Sequence, residues 1–312
     1  MIKHLTYEAI DKSKWDLCIS KAFNGNIYGY SWFLDIVAEN WDALVQDDYD
    51  RVFPLTWKKD FGIAHLYQPF FTQQLGIYSK NILTHEVVRE FIEKIPGRYR
   101  HIEIYLNAYN KPDPELYNVE SQINHELDLI KPYQNLQKSY AKNMRRNIKK
   151  AANNQLSIVK NIKIEKVVEL FRYNRGQNIS HLGENEYRRL RRLLYTCVYK
   201  NVAEVNGVYS GENNLLAGAV FIKSNRRAVF IFSGLSEEGK RMGAMPFLID
   251  GFIHDHANAH LTLDFDGSND PNLARFYKSF GAKQTNYPRL RINRLPFMLK
   301  PVYYLKRKLR SL

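Results

Sequence analysis

Three strand-length apolar runs, Ala203–Tyr209, Leu215–Lys223 and Ala228–Gly234, follow one another with only a few polar residues between them. Spacing this short makes antiparallel neighbours, because parallel strands need a crossover of a dozen or more residues. The meander runs into Glu238-Gly239-Lys240-Arg241-Met242-Gly243-Ala244, then an apolar helix to about Ala257, a strand over His260–Phe265, a short helix over Asn272–Phe280 and a last strand around Tyr287–Ile292. Ahead of it lie a basic helix capped by Ser139 and running through Ala152, a strand at Leu156–Val159, and helices at Ile164–Asn174 and Glu186–Lys200. This order predicts a mixed sheet covered by helices.

The first half repeats the order with different residues. A strand within residues 1–7 precedes a helix over Ile10–Phe23 and a second helix carrying Trp32, Phe33, Ile36 and Val37. Short strands follow at Ala43–Val45, Arg51–Trp57 and Ile63–Tyr67, then a loop over Gln68–Gly76, a helix capped by Thr84, and strands at His101–Leu106 and Glu126–Ile130. A chain of 312 residues has room for two domains. The expected fold class is α/β (α+β): units 1–135 and 136–312, joined near residues 131–140, each a self-contained, twisted, mixed sheet flanked by helices.

Several function classes drop out on composition. No run approaches the roughly 18 apolar residues needed to span a bilayer. The start, MIKHLTYEAIDKSKWDL, is polar where a signal peptide is apolar, so a cytoplasmic protein is expected. Cys18 and Cys197 lie far apart, with no metal-ligand neighbour, and read as reduced, buried thiols. His254, His256 and His260 make no metal set, so no metal is expected. There is no nucleophile elbow, no Walker loop and no dinucleotide fingerprint.

The formal charge is +14, and its placement speaks to partners. From Lys131 to Lys163 there is no acidic residue, and Lys142, Arg145, Arg146 and Lys149 fall on one broad helix face. From Tyr287 to Leu312 there is again no acid. A solvated face usually alternates sign. A phosphate-bearing partner, a small molecule or a tRNA, is therefore expected at the first cluster, unless Arg145 and Arg146 pair with acids such as Asp47 or Asp48. The tail 295–312 packs on its domain or makes peripheral contact with an anionic membrane.

Two segments carry a family resemblance. Leu263-Asp264-Phe265-Asp266-Gly267-Ser268 followed by Phe276-Tyr277-Lys278-Ser279-Phe280-Gly281-Ala282 resembles the closing part of the FemAB/FemX-type family, tandem N-acetyltransferase-fold (GNAT) proteins that add residues to cell-wall precursor peptides. The basic helix Ser139–Ala151 resembles the one that opens that family's second domain, and Ile27-Tyr28-Gly29-Tyr30-Ser31-Trp32 its entry to the second helix. The Gln68–Gly76 loop stands at the family's substrate loop but lacks the Arg-Gly-Pro sequence expected there. The resemblance implies two tandem GNAT domains and transfer of an acyl group from acyl-coenzyme A or aminoacyl-tRNA to an amine, with a cell-envelope precursor as one acceptor. The alternative is a GNAT-fold protein without transfer chemistry that binds nucleic acid or membrane through its basic faces.

Site residues follow from these segments. Asp264 and Asp266, at a strand end, orient or deprotonate the amine, or else cap a turn. Tyr277 protonates the leaving group, or else packs its helix on the sheet. Gly239, Lys240, Arg241, Gly243 and Ala244 form a loop whose backbone N–H groups hold a pyrophosphate, or a plain turn before a core helix. Ser233 and Gly234 lend backbone groups to the acyl carbonyl. Tyr30, Trp32, Gln68, Gln73, Gln74, Tyr140, Arg145 and Arg146 are the expected substrate contacts.

Overall fold

The computed structural model describes residues 1–179, 182–267 and 269–296. The chain divides into two units. One is Met1–Gln122 together with the chain from Asn286 onward, and the other is Ile123–Thr285.

The N-terminal unit contains β1 (Ile2–Leu5), α1 (Lys12–Lys21), α2 (Ser31–Val37), β2 (Asn40–Gln46), β3 (Arg51–Asp60), β4 (Ile63–Leu66), β5 (Tyr78–Ser79), α3 (His85–Glu93), β6 (His101–Tyr105) and the start of β7 (Asn118–Asp128). Its strands run β1-β2-β3-β4-β6, with β5 beside β3. All these pairs are antiparallel except β4–β6. Leu44, Phe53, Leu55, Leu66, Phe91, Ile102 and Ile104 make its core. Helix α3 starts where expected: the Thr84 hydroxyl accepts from the Val87 N–H, satisfying a donor that the first helical turn leaves free.

The C-terminal unit holds the rest of β7, α4 (Tyr133–Lys138), α5 (Lys142–Asn153), β8 (Ser157–Lys160), α6 (Ile164–Tyr173), α7 (Glu184–Tyr199), β9 (Ala203–Tyr209), β10 (Leu215–Ser224), β11 (Arg227–Leu235), α8 (Glu237–Met242), α9 (Ala244–His256), β12 (Thr262–Asp264), α10 (Pro271–Lys278) and the first residues of β13 (Lys283–Asn293). Its strands run β7-β12-β11-β10-β9-β8, with β11–β12 the parallel pair. Alternation along β10 separates two layers. Ala217, Ala219 and Phe221 join the core under α9, where Phe221 stacks on Phe252 at 3.8 Å, while Gly218 faces Val167 of α6.

Four expectations change. Ser139 does not cap the basic helix. It ends α4, with its hydroxyl on the Leu136 carbonyl, and α5 starts after Ala141. Residues 239–243 are not a turn: Ser236 caps α8 by accepting from the Gly239 N–H at 2.9 Å, so most of that segment is helical. The boundary near residue 135 moves, because Arg289–Asn293 of β13 pair antiparallel with Tyr105–His101 of β6 and so belong to the N-terminal unit. A self-contained sheet in each half gives way as well, since both β7 and β13 run from one unit into the other.

Both cysteines are buried, and burial pushes the thiols up, Cys18 to about 11 and Cys197 to about 12. Among the described residues no helix is long and apolar enough to cross a membrane. Residues 297–312, most of the tail expected at a membrane, lie outside the described residues, as does Ser268.

Candidate active site at the end of strand β12

Strands β11 and β12 pair only over Arg227–Val229 and Thr262–Asp264. Beyond that, β11 continues to Leu235 with no strand beside this edge among the described residues. The diverging portion also carries a bulge. Val220 opposes Phe232 and Phe221 opposes Phe230, so Ile231 is the extra residue on β11. A gap between parallel strands at their C-terminal ends exposes main-chain groups to a ligand, a common place for a site on an open sheet.

Asp264 stands at the mouth of this gap but faces inward. One carboxylate oxygen accepts from Asn124 Nδ2 at 2.9 Å and from the Asp266 N–H at 3.0 Å; the other takes Arg227 at 3.0 Å. Arg227 also holds Glu126 at 2.9 Å. Burial pushes the Asp264 carboxyl up, opposed by Arg227 and reinforced by Glu126. With both oxygens committed to Asn124, the Asp266 N–H and Arg227, Asp264 is a structural anchor and not the base expected of it. Its effect is on the following loop. Asp266 takes a left-handed backbone (φ 56°), the Gly267 N–H donates to Asn124 Oδ1 at 2.8 Å, and the Ile123 N–H donates to Asn269 Oδ1 at 3.0 Å. The strand end and the loop are thus stapled to β7.

Tyr277 arrives from α10, which Asp270 caps and Pro271 opens. Its ring stacks on Phe265 at 4.5 Å, and its phenol is pushed up by burial and by Asp266, with Arg175 acting the other way. The charge of Asp266 thus acts on Tyr277 near the end of β12. Arg275 and Lys278 lie on the exposed side of α10.

The glycine loop does not meet its expectation. Gly243 has φ +80°, and a Cβ there would sit 2.6 Å from the Asn147 carbonyl oxygen of α5. Gly239 abuts the Leu216 carbonyl, and Ala244 is fully buried. The Cα side of Gly243 is packed against α5. Lys240 and Arg241 close the last turn of α8, where cations suit the helix dipole. Gly234 is likewise committed: its Cβ would lie 2.7 Å from the Phe171 nitrogen, so the glycine lets α6 approach the sheet. Ser233 is partly buried on β11 opposite Ala219.

The expected substrate contacts separate. Arg145 and Arg146 are exposed on α5, as are Lys142, Lys149 and Lys150, and none makes an ion pair among the described residues. Asp47 and Asp48 pair instead with the Met1 amine and Lys14. Tyr140 is 2% exposed; its ring meets Phe280 edge-on, and its phenol is pushed up by burial and by Asp250, so it is core and not a contact surface. In the N-terminal unit, Gln68 bonds Thr72 and the Tyr105 N–H, while Gln74 bonds Gln73 and the Ala108 N–H. These amides brace their own loop, which corrects their expected role. Tyr30 and Trp32 are partly buried, their rings 6.4 Å apart. A cavity of about 310 Å³ in this unit is lined by Trp41, Trp57, Asp42 and Arg98, none of them expected from sequence.

Sequence reasoning also missed Arg227, Asn124, Glu126 and His125. Their importance depends on β7 and β11 flanking β12, which no local pattern records.

A parallel pair that splays, bulges and places a tyrosine over its end belongs to an α/β fold with a large mixed sheet flanked by helices, and that is the fold of FemX. Against solved structures, the chain is similar to FemX with a TM-score of 0.68 and 12% identity, covering 97% of this chain and 99% of that chain. It is also similar to the C-terminal domain of a putative lysylphosphatidylglycerol synthetase from Agrobacterium fabrum (TM-score 0.57, 10% identity, covering 91% and 92%) and to L-PGS from Bacillus licheniformis (0.54, 11%, 95% and 94%). At these identities the likeness establishes the fold. No protein-family model matches the sequence, and no curated protein matches it.

Proposed function

We propose that the chain is an aminoacyl- or acyl-transferase that moves an acyl group to an amine at the end of β12. The observation that carries this reading is Tyr277 with Asp266 at the splayed β11–β12 pair. A phenol held in its protonated form there is a proton donor for a leaving group, and Asp266, whose charge acts on that phenol, can accept a hydrogen bond from the neutral attacking amine. The shared fold adds support, since one of the similar structures is the C-terminal domain of a putative synthetase of an aminoacylated lipid, lysylphosphatidylglycerol.

Of the two donor classes, aminoacyl-tRNA is favoured over acyl-coenzyme A. General acids work best when matched to the leaving group, and a raised phenol suits a basic ribose oxygen better than a thiolate, which departs readily unprotonated. The glycine loop that would hold a coenzyme pyrophosphate is packed against α5, whereas the exposed α5 cations offer charge to a long polyanion. A tRNA donor also places the reaction in the cytoplasm.

Purified protein mixed with radiolabelled aminoacyl-tRNA or acetyl-coenzyme A tests this. The expected result is binding and discharge of the aminoacyl ester, with affinity falling steeply as salt rises. Tight thioester binding without tRNA binding would reverse the donor assignment. Binding of tRNA with no discharge of either donor would leave a nucleic-acid-binding protein in place of an enzyme.

A further inference from the structure

Beside Tyr277 lies a residue without a structural purpose. His125 of β7 is 0% exposed, and among the described residues neither of its ring nitrogens has a hydrogen-bond partner. Its neighbours on β7, Asn124 and Glu126, are bonded into the Asp264 network. The imidazole instead shares its face with Leu127, Leu129 and Phe265. A neutral imidazole carries one donor and one acceptor, and leaving a buried polar group unpaired destabilises the fold. An apolar side chain would serve the fold better. A buried polar group that weakens its own fold calls for a functional reason.

The surroundings supply one. The His125 ring centroid is 6.2 Å from that of Tyr277, and its main-chain carbonyl accepts from the Phe265 N–H at the strand end. The charge of Lys278 on α10 acts on the imidazole, and those of Asp266, Asp270 and Arg175 act on Tyr277. Burial and Lys278 push the imidazole down, toward its neutral, proton-accepting form, while burial and Asp266 push the phenol up, toward its proton-donating form. Two adjacent groups displaced in opposite directions make an acid–base pair.

Building on the transfer reading, we propose that His125 is a catalytic residue, the base that takes the proton from the attacking amine. In this step the amine nitrogen forms a bond to the acyl carbon. The bond from that carbon to the donor's ribose oxygen breaks. His125 accepts one proton from the amine, and Tyr277 gives one to the departing oxygen. Transfer of the imidazolium proton to the phenolate, directly or through solvent, restores both groups.

The test uses the full chain with His125→Leu and His125→Gln. Discharge of radiolabelled aminoacyl-tRNA is measured across pH, with unfolding followed in urea. The Leu variant is expected to be at least as stable as the wild type and to bind the donor equally well. Its rate should fall at least 100-fold, in the range typical of a lost general base, and lose its dependence on a neutral imidazole. The Gln variant should be no faster. A Leu variant within threefold of the wild-type rate overturns the assignment while leaving the transfer reading intact. A Leu variant that is clearly destabilised also overturns it, by showing that the imidazole serves the fold. A wild type that discharges neither aminoacyl-tRNA nor acetyl-coenzyme A overturns the transfer reading and this one together.

Discussion

Replacing Gly243 with alanine distinguishes a phosphate loop from a helix-packing glycine. At φ +80°, a residue with a Cβ carries a left-handed penalty of about 1–2 kcal/mol. The new Cβ would also lie 2.6 Å from the Asn147 carbonyl oxygen, a main-chain atom of α5 that cannot swing aside. Forcing α5 and α9 apart by several tenths of an ångström resembles overpacking a core, about 1–3 kcal/mol. The sum is roughly 2–5 kcal/mol, or about 5–15 °C in Tm for a unit of this size. Gly62 provides the control: it has φ +79°, but nothing lies within 4 Å of its Cβ position, so Gly62→Ala should show only the backbone penalty. Urea unfolding followed by circular dichroism reads both variants. Equal losses in the two, or a Gly243→Ala protein as stable as the wild type with weakened coenzyme binding, would refute the packing argument and restore the phosphate loop.

Three further outcomes are expected. Arg145→Ala with Arg146→Ala should weaken tRNA binding tens- to thousands-fold, at about 1.5–3 kcal/mol per charged contact, and leave the melting temperature unchanged, because both side chains are exposed and neither makes an ion pair among the described residues; filter binding at two salt concentrations checks this. Arg227→Met should cost about 3–5 kcal/mol in urea, since it leaves the Asp264 and Glu126 charges without their cation. The Glu204–His256 pair, 3.3 Å apart, sets a pH window. Glu204 is held down at about 2 against burial by bonds from His256, Asn206 and Lys223, so its stabilisation is present above its ordinary 4.5 and is lost as pH falls toward 2. His256 is raised above its ordinary 6.5 by Glu204, so its share is present below 6.5 and is lost as pH rises through the folded value. His256→Gln should flatten the alkaline limb, read by urea unfolding across pH.

What was legible in the chain was local. Thr84 announces α3 because a hydroxyl before an apolar-periodic run has few other uses, and the β9–β10–β11 meander follows from its short turns. The basic face of α5 is where i, i+3, i+4 spacing puts it, with Met144 and Ala151 turned inward. The errors arose where a residue type admits two local roles. Ser139 can cap a helix or close one, and Pro132, which starts α4 earlier, decided the matter. Ser236 followed by Glu237 and Glu238 is a capping signal that outranked the glycines at 239 and 243. At the candidate site, the motif is what points to Tyr277 and Asp266. The inward turn of Asp264 was not legible, because it depends on Arg227 and Asn124 from two other strands.

The return of β13 to β6 makes the N-terminal unit discontinuous, with Ile123–Thr285 as an insertion within it. During synthesis, β6 therefore has an unpaired edge until the residues through Asn293 have emerged, more than half the chain after its own. An unpaired edge is a template for mispairing. The C-terminal unit has all of its strands available earlier and can close first, which shortens the loop that the final strand must search across. A chain cut before Arg289 would then lose the N-terminal unit while keeping the unit that holds Tyr277, the reverse of what a tandem arrangement of independent halves would do.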